Sequence, residues 1–186
     1  MKENVYEMLV CHCSPTLAGL KTGSLFSCPY SSQKMIIKEI REFNQKLTQK
    51  GIRIIPVRIS DKRMLVYVYR PEKLKEDFSD EKTQIILKCK GYDCTNLSQC
   101  ICRLIQKLQS DPDFPHEIGL FLGYPAEDVK GFIENKAACS KCSGCWKVYG
   151  DEQAARILFK KYKKCTEIYC RRWKSGVAVE QLTITI

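Results

Sequence analysis

Cys139, Cys142 and Cys145 stand in AACSKCSGCWKVYG with two residues in each gap, a spacing at which thiolates can surround a metal. Soft sulfur ligands select iron–sulfur clusters or zinc. The ferredoxin run adds a fourth cysteine and a proline, and neither follows here. A zinc site completed by Cys165 and Cys170 meets a different obstacle. Five residues along a helix turn roughly 140° about its axis, so those two thiols diverge. Cys165 also falls on the apolar stripe Ala155, Leu158, Tyr162, Cys165 and Tyr169, which makes it a core thiol first. Without a metal, Cys142 and Cys145 form a Cys-x-x-Cys pair of the kind whose thiol acidity rises at a helix start. Metal or thiol redox chemistry at these three positions is an alternative reading, and an iron–sulfur cluster or zinc is not favoured.

A second set of residues suits anion recognition. Cys13, Ser14, Thr16, Gly19, Lys21, Thr22 and Ser24 lie in the stretch after the first apolar run. If that run is a strand crossing over into the next helix, the stretch is a loop at the strand's carboxyl end. Open α/β sheets bind ligands there, and the loop leads to a helix N-terminus that favours negative charge. The P-loop spacing is absent.

KKYKKCTEIYCRRWK supplies a third set: Lys160, Lys161, Lys163, Lys164, Arg171 and Arg172. The interleaved tyrosines follow the apolar stripe, so they are not free to stack on bases. The cations form the solvated face and suit an acidic protein partner.

PHEIGLFLGYPAEDVKGFIEN matches the packing positions of a helix-turn-helix, with Gly123 as the left-handed corner and Pro125 opening the second helix. Its reading helix, however, carries Glu127, Asp128 and Glu134 against Lys130 alone. Phosphate neutralisation and base readout need the opposite charge balance. A structural corner is the favoured reading, with Asp111, Asp113, Glu127 and Asp128 acting as caps. His12 and His116 stand without a triad partner at any recognisable spacing. No catalytic constellation emerges, and the reading leans away from an enzyme.

These groups need positioning. YEMLVCHC reads as an N-terminal strand with Leu9, Cys11 and Cys13 on one buried face. A helix with the stripe Ile36, Ile37, Ile40, Phe43 and Leu47 follows, capped at Ser31 or Ser32 and ended by Gly51. IRIIPVRIS and RMLVYVYR form a hairpin, and Pro56 puts the first of its strands at an edge. Helices are expected over 72–90, 96–109, 115–123, 125–135 and 151–174, and VEQLTITI as a closing strand. The sum is an α+β fold: a small mixed sheet of N-terminal strand, central hairpin and C-terminal strand, with a largely helical second half. A single domain is expected over 1–186, with an α/β part about 1–93, a helical part about 94–176 and the closing strand about 178–186.

Length and composition fit this picture. A chain of 186 residues, 44% hydrophobic and 28% charged, is ordinary for a globular domain. No apolar run approaches the ~20 residues of a membrane span, and MKENVYEMLVCHC lacks a secretory signal. The cytoplasm is the default, where most of the 12 cysteines are free thiols that pack as small hydrophobes. A net charge of +10 favours acidic partners.

Three stretches, HCSPTLAGLKTGSLFSC, FPHEIGLFLGYPAEDVKGFIEN and CWKVYGDEQAARILFKKYKKCTEIYC, together resemble an uncharacterised bacterial family, domain of unknown function 3793, over nearly the whole chain. Its members occur mainly in anaerobic Gram-positive bacteria. The matching positions are Cys13, Pro15, Thr16, Gly19, Lys21, His116, Glu117, Gly119, Gly123, Tyr124, Pro125, Gly131, Trp146, Tyr149, Gly150 and Cys165. The resemblance implies no defined activity, and it implies an association with flavodoxins and iron uptake. A flavodoxin is acidic, which suits the basic final helix. The leading expectation is a cytosolic, non-catalytic or accessory protein that binds an acidic partner or an anionic ligand.

Overall fold

The computed structural model describes residues 5–60, 62–110 and 114–185. The chain divides into two compact units, one made of residues 1–72 and 162–186, the other of residues 73–161.

The first unit begins with helix α1, Val5–Leu17, where a strand was expected. Its buried residues Val5, Met8, Leu9, Cys13 and Leu17 recur at three and four, the helical period, and Cys11 and His12 face water. A short apolar run does not distinguish the two periods by itself. The helix ends at Gly19, whose φ of 69° lets Leu20 N–H turn back to the Pro15 carbonyl at 2.8 Å.

The expected loop is also replaced. Gly23–Pro29 forms strand β1, pairing antiparallel with β3, Arg63–Tyr69, and the sheet order is β1-β3-β2 with β2 spanning Arg53–Ile59. The hairpin β2–β3 stands as expected, and β2 is the edge strand that Pro56 requires, with a bulge between Pro56 and Arg58. All three strands are antiparallel, so the sheet is not mixed and no parallel crossover exists in it. Helix α2, Gln33–Leu47, packs Ile36, Ile40, Phe43 and Leu47 into the core and runs through a 3₁₀ turn to Gly51 at φ 75°.

The C-terminal stretch is not a strand. Val179–Leu182 makes one helical turn, labelled α9 below, that buries Val179 and Leu182. The single backbone bond from Ile184 N–H to the Leu17 carbonyl, 3.1 Å, does not extend into a ladder among the described residues. The core of this unit joins α1, β1, α2, the hairpin and α9, with Trp173 and Tyr169 at its margin.

Buried at its centre is Arg70, 2% exposed. Its guanidinium donates to the carbonyls of Thr16 (2.7 Å), Leu17 (2.7 Å), Lys50 (3.0 Å) and Ile184 (2.9 Å). Three chain segments that cannot bond one another through a ladder are thereby tied to one side chain.

The second unit is helical. The span 72–90 is two helices, α3 (Pro71–Asp77) and α4 (Glu81–Cys89), because Asp80 caps the second by accepting from Thr83 N–H at 2.8 Å. That hydrogen bond holds the Asp80 carboxyl below the usual range. Then follow α5 (Leu97–Ser110), α6 (Ile118–Phe121), α7 (Ala126–Glu134), a two-residue hairpin of β4 (Cys142–Ser143) and β5 (Lys147–Val148), and α8 (Glu152–Lys174), which continues into the first unit. The core is Leu74, Phe78, Leu87, Leu104, Leu108, Phe121 and Val148. Phe78 meets Phe121 edge-on at 5.0 Å. The fold is thus α+β with a helical latter half. Asp111 and Asp113 lie outside the described residues.

Candidate functional site

The outward face of α8 is built by helical periodicity alone. Its inner stripe comprises Ala155, Tyr162 and Cys165, all buried, with Leu158 and Tyr169 half-buried. Burial pushes the Cys165 thiol up to about 11, as expected of a core thiol. At about 100° per residue, Lys160, Lys164 and Arg171 fall within about 40° of one another and nearly opposite that stripe. Lys163 and Lys174 flank them on one side, Lys161 and Arg172 on the other. All seven side chains are exposed, and among the described residues none pairs with a carboxylate. Glu167 is the acid on this face, and Ile168, 40% exposed, adds an apolar contact beside it. Tyr162 points inward and donates to the Leu20 carbonyl at 3.4 Å, so it offers no ring to a base. Chemically, the face can attract and hold carboxylates or phosphates.

The cysteine cluster takes a different form from either expected one. Cys139 is exposed with φ 58°, following Lys136 and Ala137 at φ 47° and 66°, a run of left-handed non-glycine backbone. Cys142 lies on β4 and Cys145 in the turn to β5. Neither starts a helix. Among the described residues, no group of three or more His, Cys, Asp or Glu side chains is placed to hold a metal ion.

The residues chosen for anion binding are mostly interior. Cys13, Ser14, Thr16, Thr22 and Ser24 are buried. Ser14 Oγ donates to the Val10 carbonyl, and the Thr16 and Ser24 hydroxyls bond each other at 2.9 Å. Gly19 and Lys21 belong to the turn between α1 and β1. The stretch expected as a loop is a helix end, a short turn and a strand, and it buries five of these seven residues. Burial likewise raises the Cys13 thiol.

Asp128 carries a role that its sequence position hides. Rather than capping its own helix, the buried carboxylate accepts from Trp146 Nε1 (2.7 Å), Tyr149 N–H (2.7 Å) and Gly150 N–H (2.8 Å). It thereby fastens the β4–β5 hairpin to α7. Gly131 permits that approach, since a Cβ there would lie 2.4 Å from Tyr149 Cγ. The corner of α6 and α7 turns at Gly123, φ 75°, as its sequence requires. The face that α7 leaves exposed offers Glu127 and Glu134 against Lys130, a poor surface for DNA.

Beside this junction is a cleft of about 320 Å³, lined by His116, Tyr124, Phe132, Cys145, Trp146 and Lys147 among others. Tyr124 stacks on Trp146 at 4.7 Å and His116 meets Phe132 at 5.0 Å, so the rings largely satisfy one another. Deeper in the same unit Glu117 accepts from Lys107 (2.7 Å) and Tyr92 (3.1 Å). Burial raises the Glu117 carboxyl, and the hydrogen bond and charge of Lys107 outweigh it, leaving the group below its ordinary range.

Among the described residues, no helix is long and apolar enough to cross a membrane. In comparison with known proteins, residues 9–183 match the model of one family, described as protein of unknown function (DUF3793). No curated protein and no solved structure matches.

Proposed function

The chain belongs to the DUF3793 family, and from that premise we propose that it is an accessory protein that binds an acidic protein partner through the outward face of α8. The observation that carries this reading is the fan of seven exposed cations, Lys160, Lys161, Lys163, Lys164, Arg171, Arg172 and Lys174, without carboxylate partners among the described residues. A helix face on which cations outnumber Glu167 seven to one raises the encounter rate with an acidic partner and biases its orientation. The chain's net charge of +10 adds long-range attraction. A small acidic redox protein of the flavodoxin class, acting in iron metabolism, fits this chemistry. The reading involves no reaction at α8, and places the protein in the cytoplasm.

The test is titration with a purified flavodoxin by calorimetry at low and moderate salt. The fourfold reversal Lys163→Glu, Lys164→Glu, Arg171→Glu, Arg172→Glu is expected to raise Kd about a hundredfold, with affinity in the parent protein falling as salt rises. Reversal of Lys34, Lys38, Arg41 and Lys73, which lie elsewhere in the chain, is the charge-matched control. Equal losses in both sets reduce the effect to net charge and end the proposal for α8. Tight binding to duplex DNA with a steep salt slope would favour nucleic acid instead.

A further inference from the structure

Among the twelve cysteines is one pair that sequence distance conceals. Cys11 on α1 and Cys170 on α8 are separated by 159 positions, yet their sulfurs stand 3.5 Å apart, within hydrogen-bonding reach of two thiols. Both belong to the first unit. Cys11 is exposed and Cys170 half-buried, so a small reagent reaches the pair from solvent.

We propose that Cys11 and Cys170 form a reversible dithiol–disulfide site, oxidised by a low-molecular-weight disulfide. Two sulfurs already in van der Waals contact need to close only to the ~2.05 Å of a bond. Leu9 and Cys13 on α1 belong to the core against which Cys170 and Trp173 on α8 pack. The first step is attack by the exposed Cys11 thiolate on one sulfur of the small disulfide. A protein–small-thiol mixed disulfide forms and one small thiolate leaves. The Cys170 thiolate then attacks Cys11 Sγ, forming the intramolecular bond and expelling the second small thiolate. Protons from the two cysteines end on the two released thiols, so the protein loses two hydrogens and the small disulfide gains them. Reversal needs only an excess of reduced small thiol.

The surroundings make this a slow site. Burial first, then the hydrogen bond and charge of Cys170 and the charge of Glu7, push the Cys11 thiol up to about 11, while Lys174 pulls it down. Little thiolate is present at neutral pH, and closure accelerates about tenfold per pH unit below that value. A slow, reversible cross-link suits a sensor of sustained oxidation better than a turnover enzyme. This inference stands independently of docking at α8, since it concerns the sulfurs alone.

The experiment is incubation of the full chain with oxidised glutathione at pH 7, 8 and 9, followed by alkylation and peptide mapping. Expected is a Cys11–Cys170 cross-linked peptide, formed before disulfides among the other exposed thiols Cys89, Cys102, Cys139 and Cys145. Its rate should climb about tenfold per pH unit, and reduced glutathione should reverse it. Cys170→Ser should stop at a stable glutathione adduct on Cys11, and Cys11→Ser should give no cross-link to residue 170. A persistent Cys11 adduct in the parent protein, with Cys170 still alkylated, overturns the proposal. So does a cross-link formed elsewhere first.

Discussion

Replacing Arg70 with Met removes a buried fork of donors while keeping much of the volume. Four carbonyls lose a charged donor at once: Thr16, Leu17, Lys50 and Ile184. Thr16 and Leu17 keep weaker ones, the Gly19 and Ile184 N–H groups at 3.1 Å. The bonds to Thr16 and Leu17 are fully buried, so water cannot replace them, whereas those to Lys50 and Ile184 are partly buried and become hydrated. A buried hydrogen bond to a charged donor contributes about 1.5–3 kcal/mol. Two such bonds, with a smaller loss at the other two carbonyls and some relief from no longer burying a cation, give about 3–5 kcal/mol. That is a large share of the ~5–15 kcal/mol by which a domain is stable, and corresponds to a fall in Tm of roughly 10 °C or more. Urea denaturation followed by circular dichroism measures it. Arg70→Lys is the informative companion. A lysine has one nitrogen where the fork has three, so it should recover less than half of the loss. A Met variant within about 1 kcal/mol of the parent protein would refute the reasoning and show that the carbonyls find other donors.

Asp128→Asn leaves one acceptor oxygen where the carboxylate serves Trp146, Tyr149 and Gly150. The expected cost is about 2–3 kcal/mol, with a change in Trp146 fluorescence as its indole loses a charged partner. Glu117 has a folded-state carboxyl below its ordinary value of 4.5. Its contribution is therefore complete above the unfolded pKa and is lost as pH falls through the folded one. Urea midpoints measured downward from pH 6 should fall more steeply for the parent protein than for Glu117→Gln, and parallel curves would exclude the linkage. Gly131→Ala drives a Cβ to 2.4 Å from Tyr149 Cγ and is expected to cost about 1–3 kcal/mol in a thermal melt.

Much of the architecture is legible along the chain where an element's own pattern decides it. Helix α2 has a clean stripe and a glycine stop, and the hairpin has β-rich runs with a proline that marks its edge. Helix α8 separates apolar and cationic residues so regularly that its outward face follows from arithmetic. The corner at Gly123 likewise follows from the left-handed backbone that glycine tolerates. The break at Asp80 divides the 72–90 stretch expected as one helix, although an aspartate is a known N-cap signal: apolar periodicity runs on across the cap and masks it. Elsewhere local pattern misleads. In YEMLVCHC, alternation over a few positions imitates a strand, and in VEQLTITI the β-branched residues do the same. Each sits against core supplied by other segments, which leaves no ladder for it to join.

The sequence by itself determined the charge of the protein, the periodicity of its long helices, the edge position of β2 and the cationic face of α8. Each of these depends on neighbours within a few residues, or on a simple sum over the chain. Tertiary structure alone decided the partner of Arg70, the three donors of Asp128 and the meeting of Cys11 with Cys170. Those partners are 18 to 159 positions apart, from Trp146 and Asp128 at 18 to Cys11 and Cys170 at 159. No local propensity encodes such separations. They are set when whole helices and strands bury their apolar faces together, and only then does a polar or thiol side chain acquire its chemistry.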